Sequence, residues 1–321
     1  VKILWVVDCW TPAVKAGAEV MAHELSRALV VAGHRVHVCH RADRHAPASS
    51  VVVDGVVIHH FDDALMLRSM QAADLVFTQC LPSVISQIHA TARMMHKPVA
   101  MLLHSDFPQV VSVWRNSRPE LTVFNSRWMR DAFLRYRQDF TYVVVNPINR
   151  FPVDPTPPGE KITLVNLTHA KGVDIFAEVA KAIPDEQFLG VVGGYGSQRL
   201  LLGENTVTHP ATDDMGSVYR QSKLVMMPSR YESWGLVAME AASFGRPSVV
   251  RRTPGLLENV EDSGVVVDTD DPAAWVEGVR LALDGYSQLS VSAIARATEL
   301  HALTTERLAA FVSAVESFDG V

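Results

Sequence analysis

Short β-rich runs alternate with helical patterns along this chain, and the alternation starts, stops at a cluster of prolines, and starts again. "KILWVV" (2–7) reads as a buried strand. A helix follows in which Val20, Met21, Leu25, Ala28, Leu29 and Ala32 recur at helical spacing; Gly33 ends it, and "RVHVCH" resumes as a strand. Further strands are expected at "VVVDGVVIHHF", "DLVFTQ", "PVAMLLH", "LTVFN" and "TYVVV". Pro147, Pro152, Pro155, Pro157 and Pro158 then crowd one stretch, a density that suits an inter-domain linker rather than a helix or an interior strand. Beyond it come "KITLVNL", a helix from about Val173, "FLGVVGG", "NTVTHP", a helix near "DMGSVYRQS", "KLVMMP", an apolar helix holding Glu240, "PSVVRR" and "GVVVD". Strand–helix alternation requires parallel pairing, so the fold class is α/β. Two Rossmann-like doubly wound domains are expected, 1–150 and 151–321, facing a central cleft, with the last helix able to pack back on the first. Ligands of such sheets bind at the carboxyl ends of the strands, so functional residues should fall just after strands.

Composition removes several classes. At 321 residues, with 48% hydrophobic and 20% charged residues, the chain suits a two-domain globular protein rather than a disordered one. A net charge of -6 gives no global basic field for nucleic acid. Cys9, Cys39 and Cys80 are dispersed without metal-ligand spacing and suit a reducing compartment. No apolar run approaches the ~20 residues that span a bilayer, and "VKILWVVD" reads as a strand rather than a signal peptide. A cytoplasmic location is the expectation.

One stretch, "MPSRYESWGLVAMEAASFGRPSVV", raises a physical question. Glu240 sits inside an apolar helix, where an unpaired charge costs several kcal/mol or about that. Glu232 stands in the loop before it, and Gly235 near the helix start. The backbone N–H groups of Ser233, Trp234, Gly235 and Leu236 would lie at a helix N-terminus, a ready anion site that a glycine lets a ligand approach closely. Glu232 could accept from one set of hydroxyls and Glu240 from another. Hydroxyl, phosphate and hydroxyl in a row describe a sugar, a diphosphate and a ribose. The plainer alternative makes Glu232 a helix-dipole acid and pairs Glu240 with an arginine.

The same stretch resembles the E-x7-E signature of retaining glycosyltransferases of GT-B fold, especially the GT4 family, with the acids at Glu232 and Glu240. In that family the first acid contacts the donor sugar and the second the nucleotide ribose. "ILWVVDCWTPAVKAGAEVMAHELSRAL" is similar to the family's opening, where a glycine pair contacts donor and acceptor; Ala16 replaces the first glycine and Gly17 keeps the second. "LVNLTHAKGVDIF" is similar to the phosphate-binding Lys-Gly segment, giving Lys171 and Gly172, with Asn166 where the family commonly has an arginine; Arg230 or Arg251 could substitute. "VVGGYG" resembles the family's glycine loop and supplies Gly194. "LLHSD" resembles the segment whose histidine touches the donor sugar, giving His104, with Asp106 a weaker companion. "TPGLLENVEDSGVVVDTDDPAAW" resembles the stretch that closes the nucleotide domain.

The resemblance implies transfer of a hexosyl group from a nucleoside diphosphate sugar to an acceptor hydroxyl. His104, Lys171 and Glu232 would act at the reacting centre. It implies no cofactor and no metal. Asp268 and Asp270 spell a D-x-D, but "DTDDP" reads as turn and helix-cap chemistry. No G-x-G-x-x-G follows the first strand, which argues against a dinucleotide oxidoreductase. Lys171 also has a case of its own, since it ends a strand-to-helix turn where its charge adds to the helix dipole against phosphate.

"NSRWMRDAFLRYR" predicts a helix with Arg127, Arg130, Arg135 and Arg137 on one arc. It reads either as a solvated face or as a basic patch for an anionic acceptor or a peripheral membrane contact; a nucleic-acid acceptor is supported by this patch alone. Two rival functions stay open from sequence: a nucleotide-sugar epimerase of the same fold, and a non-catalytic nucleotide-sugar-binding module.

Overall fold

The computed structural model describes the whole chain except residues 12–15, 41–49, 61, 80–81, 195, 202 and 319–321; Cys80 lies outside the described residues. The chain divides into two compact units, Val1–Ile148 with Thr304–Val321, and Asn149–Leu303.

The first unit is built on an eight-stranded sheet: β1 (Lys2–Val7), β2 (Arg35–His40), β3 (Ser50–Val53), β4 (Val56–His60), β5 (Leu75–Gln79), β6 (Val99–Leu103), β7 (Leu121–Phe124) and β8 (Thr141–Val144). Its order is β3-β4-β2-β1-β5-β6-β7-β8, and every pairing is parallel except β3 with β4. The central β1 is buried from Ile3 to Val7, as a strand covered on both faces must be. Helices α1 (Gly17–Val31), α2 (Asp63–Ala72), α3 (Pro82–Met94), α4 (Pro108–Ser117) and α5 (Arg127–Leu134) connect the strands. Trp5 stacks on Phe77 with ring centroids 4.4 Å apart, and Trp10, Phe311 and Val315 complete that core. Burial pushes the Cys39 thiol up to about 12, so it is an inert core hydrophobe.

"VVVDGVVIHHF" is a hairpin and not one strand. Asp54 (φ 51) and Gly55 (φ 81) both adopt left-handed backbone between Val53 and Val56, which are register partners. That is a two-residue turn of the primed kind, and Asp-Gly is its preferred sequence.

The second unit carries β9 (Lys161–Val165), β10 (Gln187–Val191), β11 (Thr206–His209), β12 (Ser222–Met227), β13 (Ser248–Arg251) and β14 (Gly264–Val267) in the order β11-β10-β9-β12-β13-β14, all parallel. Helices α6 (Val173–Ala182), α7 (Met215–Gln221), α8 (Leu236–Ser243), α9 (Pro254–Val260) and α10 (Pro272–Asp284) connect them. Helix α11 (Tyr286–Glu316) begins in this unit and ends in the first. The proline-rich stretch does not hang free: Arg246, 1% exposed, donates to the Thr156 carbonyl (2.9 Å), Thr156 Oγ1 (2.6 Å) and the Pro157 carbonyl (2.7 Å). Asn149 donates to Ser243 Oγ at 2.8 Å, and Pro152, Pro155, Pro157 and Pro158 belong to the second unit while Pro147 lies in the first.

Candidate active site

The strand order of the second unit reverses between β9 and β12, and connections leave these neighbours in opposite directions. A crevice forms outside the carboxyl ends of two such strands. After β9, Asn166 takes left-handed backbone (φ 71), a conformation asparagine tolerates better than most residues. A turn of 3₁₀ helix, His169–Lys171, leads to Gly172 (φ 78) and α6. A Cβ on Gly172 would lie 2.6 Å from Pro228, at the end of β12, so glycine is required for this approach. The two strand-end loops are also hydrogen-bonded, Arg230 N–H donating to the Ala170 carbonyl at 2.9 Å.

This closeness brings together two residues sixty-one apart in sequence: Lys171 Nζ donates to Glu232 Oε1. Their side chains are 19% and 13% exposed, so the pair is shielded yet reachable. Lysine and carboxylate here hold each other in place and leave further donor and acceptor capacity on both.

Helix α8 begins immediately afterwards. Gly235 is its N-cap with φ 89, and a Cβ there would lie 2.4 Å from Leu256. Asn259 clamps the turn by donating to the carbonyls of Trp234 (3.0 Å) and Gly235 (2.9 Å). The amides of Gly235 and Leu236 have no acceptor among the described residues, as the first turn of a helix leaves them. Trp234 is buried against Met239 and Leu300, so its ring is core and only its backbone can serve a ligand. Ser233 is half-buried beside it.

Glu240 is 6% exposed, and its Oε2 accepts from the Tyr219 hydroxyl at 2.6 Å. Burial raises its pKa; the Tyr219 bond and the charge of Arg150 oppose that rise. Burial and the neighbouring carboxylate together push Tyr219 well above its ordinary value. No described residue donates to the second oxygen of Glu240. The pairing with an arginine that the plainer sequence reading expects is therefore not made; a tyrosine from α7 takes that place.

The arginines expected to replace a missing cation are engaged. Arg230 binds Asp174 (2.9 and 3.2 Å) and Asp270 (3.2 Å), and Arg251 binds Asp270 as well. Burial works to raise the Asp174 pKa, but Arg230, a backbone hydrogen bond and His169 together hold it below the ordinary value. Asp268 pairs with Arg252 at 3.1 Å, and Asp271, not either acid of the D-x-D, caps α10 through the Ala273 amide at 3.0 Å. No group of three metal-ligating side chains occurs among the described residues. Asn166 is held too: its Oδ1 accepts from Gln198 at 2.9 Å, and Gln198 Oε1 accepts from the amides of Leu167 (2.8 Å) and Gly193 (2.9 Å). Asn166 and Gln198 thus fasten the glycine loop, on which Gly194 is exposed.

In the first unit Gly17 is exposed at the start of α1, and nothing lies within 4 Å of where its Cβ would be. His104 follows β6; it is half-buried, its Nε2 has no partner among the described residues, and burial lowers its pKa to about 4. It is therefore a neutral imidazole at neutral pH, suited to hydrogen bonding with a hydroxyl. The basic helix needs correction. α5 ends at Leu134, Arg135 is its C-cap, and Arg137 lies beyond it with its guanidinium over the rings of Trp114 (4.8 Å) and Phe140 (4.9 Å). Arg130 pairs with Asp131 at 2.7 Å. A single helical arc of four arginines does not exist, because α5 ends at its C-cap Arg135 and Arg137 lies beyond it.

Sequence reasoning missed Tyr219, Asp174, Gln198 and Asn259. Each acts across 21 to 56 residues or more of chain, or through a backbone group, and no local spacing announces that.

These two α/β units are similar to known structures over nearly their whole length. Sucrose-phosphate synthase from Thermosynechococcus elongatus matches with TM-score 0.76 at 16% identity, over 98% of both chains. HepE of Anabaena, in complex with UDP-glucose, matches with TM-score 0.74 at 16% identity, over 98% of this chain and 99% of the other. The fold is that of the GT-B glycosyltransferases. A family model described as Glycosyltransferase Family 4 matches residues 16–150, and one described as Glycosyl transferases group 1 matches residues 161–284. The chain belongs to the GT4-like glycosyltransferases. Among curated relatives, the D-inositol 3-phosphate glycosyltransferase of Xylanimonas cellulosilytica is 34% identical over 133 residues, 36% of this chain and 32% of that protein. The enzyme of the same name from Salinispora arenicola is 49% identical over 65 residues, 20% of this chain and 14% of that protein. The matched stretches thus span a third or less of these relatives' own length.

Proposed function

We propose that the chain transfers a hexosyl group, with retention of configuration, from a nucleoside diphosphate sugar to an acceptor hydroxyl. The observation that carries the reading is the Lys171–Glu232 pair at the β9–β12 reversal, beside the open amides of Gly235 and Leu236. A diphosphate between Lys171 and the start of α8 meets a cation, two N–H donors and a helix dipole, all aligned before the reaction. Glu232 accepts from sugar hydroxyls and Glu240, through its second oxygen, from the ribose. In the reaction the bond from the anomeric carbon to the diphosphate breaks, and the acceptor oxygen bonds to that carbon on the same face. The acceptor's proton passes to the departing phosphate oxygen. No metal is used.

The acceptor class follows less directly. Relatives named for D-inositol 3-phosphate support a phosphorylated, hydroxyl-rich acceptor. The protein is incubated with a panel of UDP- and GDP-sugars, and donor loss is measured with and without inositol phosphates. Slow hydrolysis of one donor, accelerated by an acceptor that becomes glycosylated, is the expected result. Conversion of a donor to its epimer without acceptor, or nucleotide binding with no turnover across the panel, would overturn it.

A further inference from the structure

One arginine that α5 does not hold, Arg137, meets two others from α4 and its end. Arg115 on α4, Arg118 at its end and Arg137 after α5 surround a surface depression of about 350 Å³. Among the described residues none of the three is paired with a carboxylate, and Asp139 is the only acid in the lining. In a chain of net charge -6, three guanidiniums around one depression are a local concentration of positive charge, although Glu120 also lies within electrostatic reach of Arg137 and Asp106 lines the neighbouring depression.

Two features show that the cations are placed rather than scattered. Arg137 is pinned over Trp114 and Phe140, and its Nε is buried with no acceptor. That leaves a desolvated N–H without a hydrogen-bond partner among the described residues. Arg118 terminates α4 in left-handed backbone (φ 44), a place that glycine or asparagine fills without strain. A terminator alone would not need arginine there.

A second depression of about 390 Å³ continues along α4, sharing Arg115 and Tyr136 and adding the apolar Pro108 and Val111. Tyr136 is 51% exposed, with Arg115 over its ring at 5.5 Å. We infer that this groove binds a phosphomonoester: the phosphate among Arg115, Arg118 and Arg137, the organic part against Tyr136 and Val111. Guanidinium forks match phosphate oxygens in pairs, and three guanidiniums around one depression suit a dianion. Arg115 and Arg118 stand at the far end of α4, whose ten residues span about 15 Å at 1.5 Å per residue, and His104 precedes its start. The phosphate end is therefore at the opposite end of α4 from His104, and the groove lies in the first unit alone.

Phenyl phosphate is the probe, titrated calorimetrically against wild type, Arg118→Gly and Arg115→Gln. Arg118→Gly removes a guanidinium while giving the left-handed position its easiest residue, so folding is preserved. The difference between wild type and variants isolates this groove from any phosphate that the second unit takes. Affinity should fall roughly tenfold in each variant, the loss of one charge-assisted hydrogen bond, with melting temperature unchanged or raised in Arg118→Gly. Phenol should bind far more weakly than phenyl phosphate, and UDP affinity should not move. Equal phenyl phosphate affinity in wild type and Arg118→Gly would overturn the proposal. So would sedimentation with phosphatidylglycerol vesicles that phenyl phosphate cannot reverse, which would mark a diffuse membrane-facing surface instead.

Discussion

Tyr219 donates its hydroxyl to Glu240 at 2.6 Å, and this bond, not an ion pair, is what the buried carboxylate has inside the protein. Tyr219→Phe leaves Glu240 without its donor in a low-dielectric site. A loss of about 1–3 kcal/mol of stability is expected, measured by urea denaturation. Glu240→Gln should be tolerated better, because an amide costs less to bury than a carboxylate. The pH dependence has a definite sign. The folded-state pKa of Glu240 lies above the ordinary carboxylate value, so the folded state holds its proton longer than the unfolded chain. Stability from this group is complete below the unfolded value near 4.5 and is lost as pH rises through the folded one. Wild type should therefore lose stability relative to Glu240→Gln as pH climbs out of the acid range. A difference that is flat, or grows the other way, contradicts the burial.

The same variant tests the ribose contact. Glu240→Gln should weaken UDP or GDP by about 1.5–3 kcal/mol if a hydroxyl bonds the second oxygen. Calorimetry giving wild-type affinity would remove Glu240 from the nucleotide site and leave it a partner of Tyr219 alone.

Lys171→Ala should weaken a nucleoside diphosphate more than the bare nucleoside, and lower turnover. It also strips Glu232 of its partner, so Lys171→Gln is the better comparison, since it keeps a donor within reach of Glu232. Equal loss for diphosphate and nucleoside in both variants would show that the lysine only positions the loop.

How much of this was legible in the sequence follows from how far each interaction reaches. Strand and helix positions are set by local periodicity, and the carboxyl-end placement of Lys171 and Glu232 follows once the strands are parallel. That the two touch does not follow; it depends on Gly172 packing against Pro228, a contact fifty-six residues away. The Asp54–Gly55 turn was readable, since Asp-Gly between apolar runs is a strong hairpin signal. The basic arc was misread because helical spacing was extended past Leu134, where Arg137 turns back onto Trp114 and Phe140. Arg230 and Arg251 showed their charge in the sequence, but their engagement with Asp174 and Asp270 spans strand ends that only the fold brings together.

Activity, once a donor is known, should survive EDTA. Asp268 and Asp270 are each bound to arginine, which would compete with a cation for the same oxygens. Complete loss with chelator and recovery with manganese would show that a metal displaces those arginines.

Gly255 tests the placement of Glu232 without touching any ligand. It lies in the first turn of α9, and a Cβ there would stand 2.4 Å from the Ser233 carbonyl carbon and 2.5 Å from the Glu232 carbonyl oxygen. Real Cβ atoms do not approach backbone so closely, so Gly255→Ala must push the Glu232–Ser233 loop away. Glu232 keeps its charge and Lys171 its amine, but their geometry at the strand ends changes. A displacement near 1 Å costs on the order of a hundredfold in rate where positioning matters. Gly264→Ala is the control: its Cβ would stand 2.7 Å from the Ser248 carbonyl oxygen, in strand pairing away from the loop. Both variants should lose stability in urea. Only Gly255→Ala should also lose turnover, at saturating donor and under conditions where each variant is fully folded. Equal turnover in the two folded variants would mean that the loop carrying Glu232 has no part in the reaction.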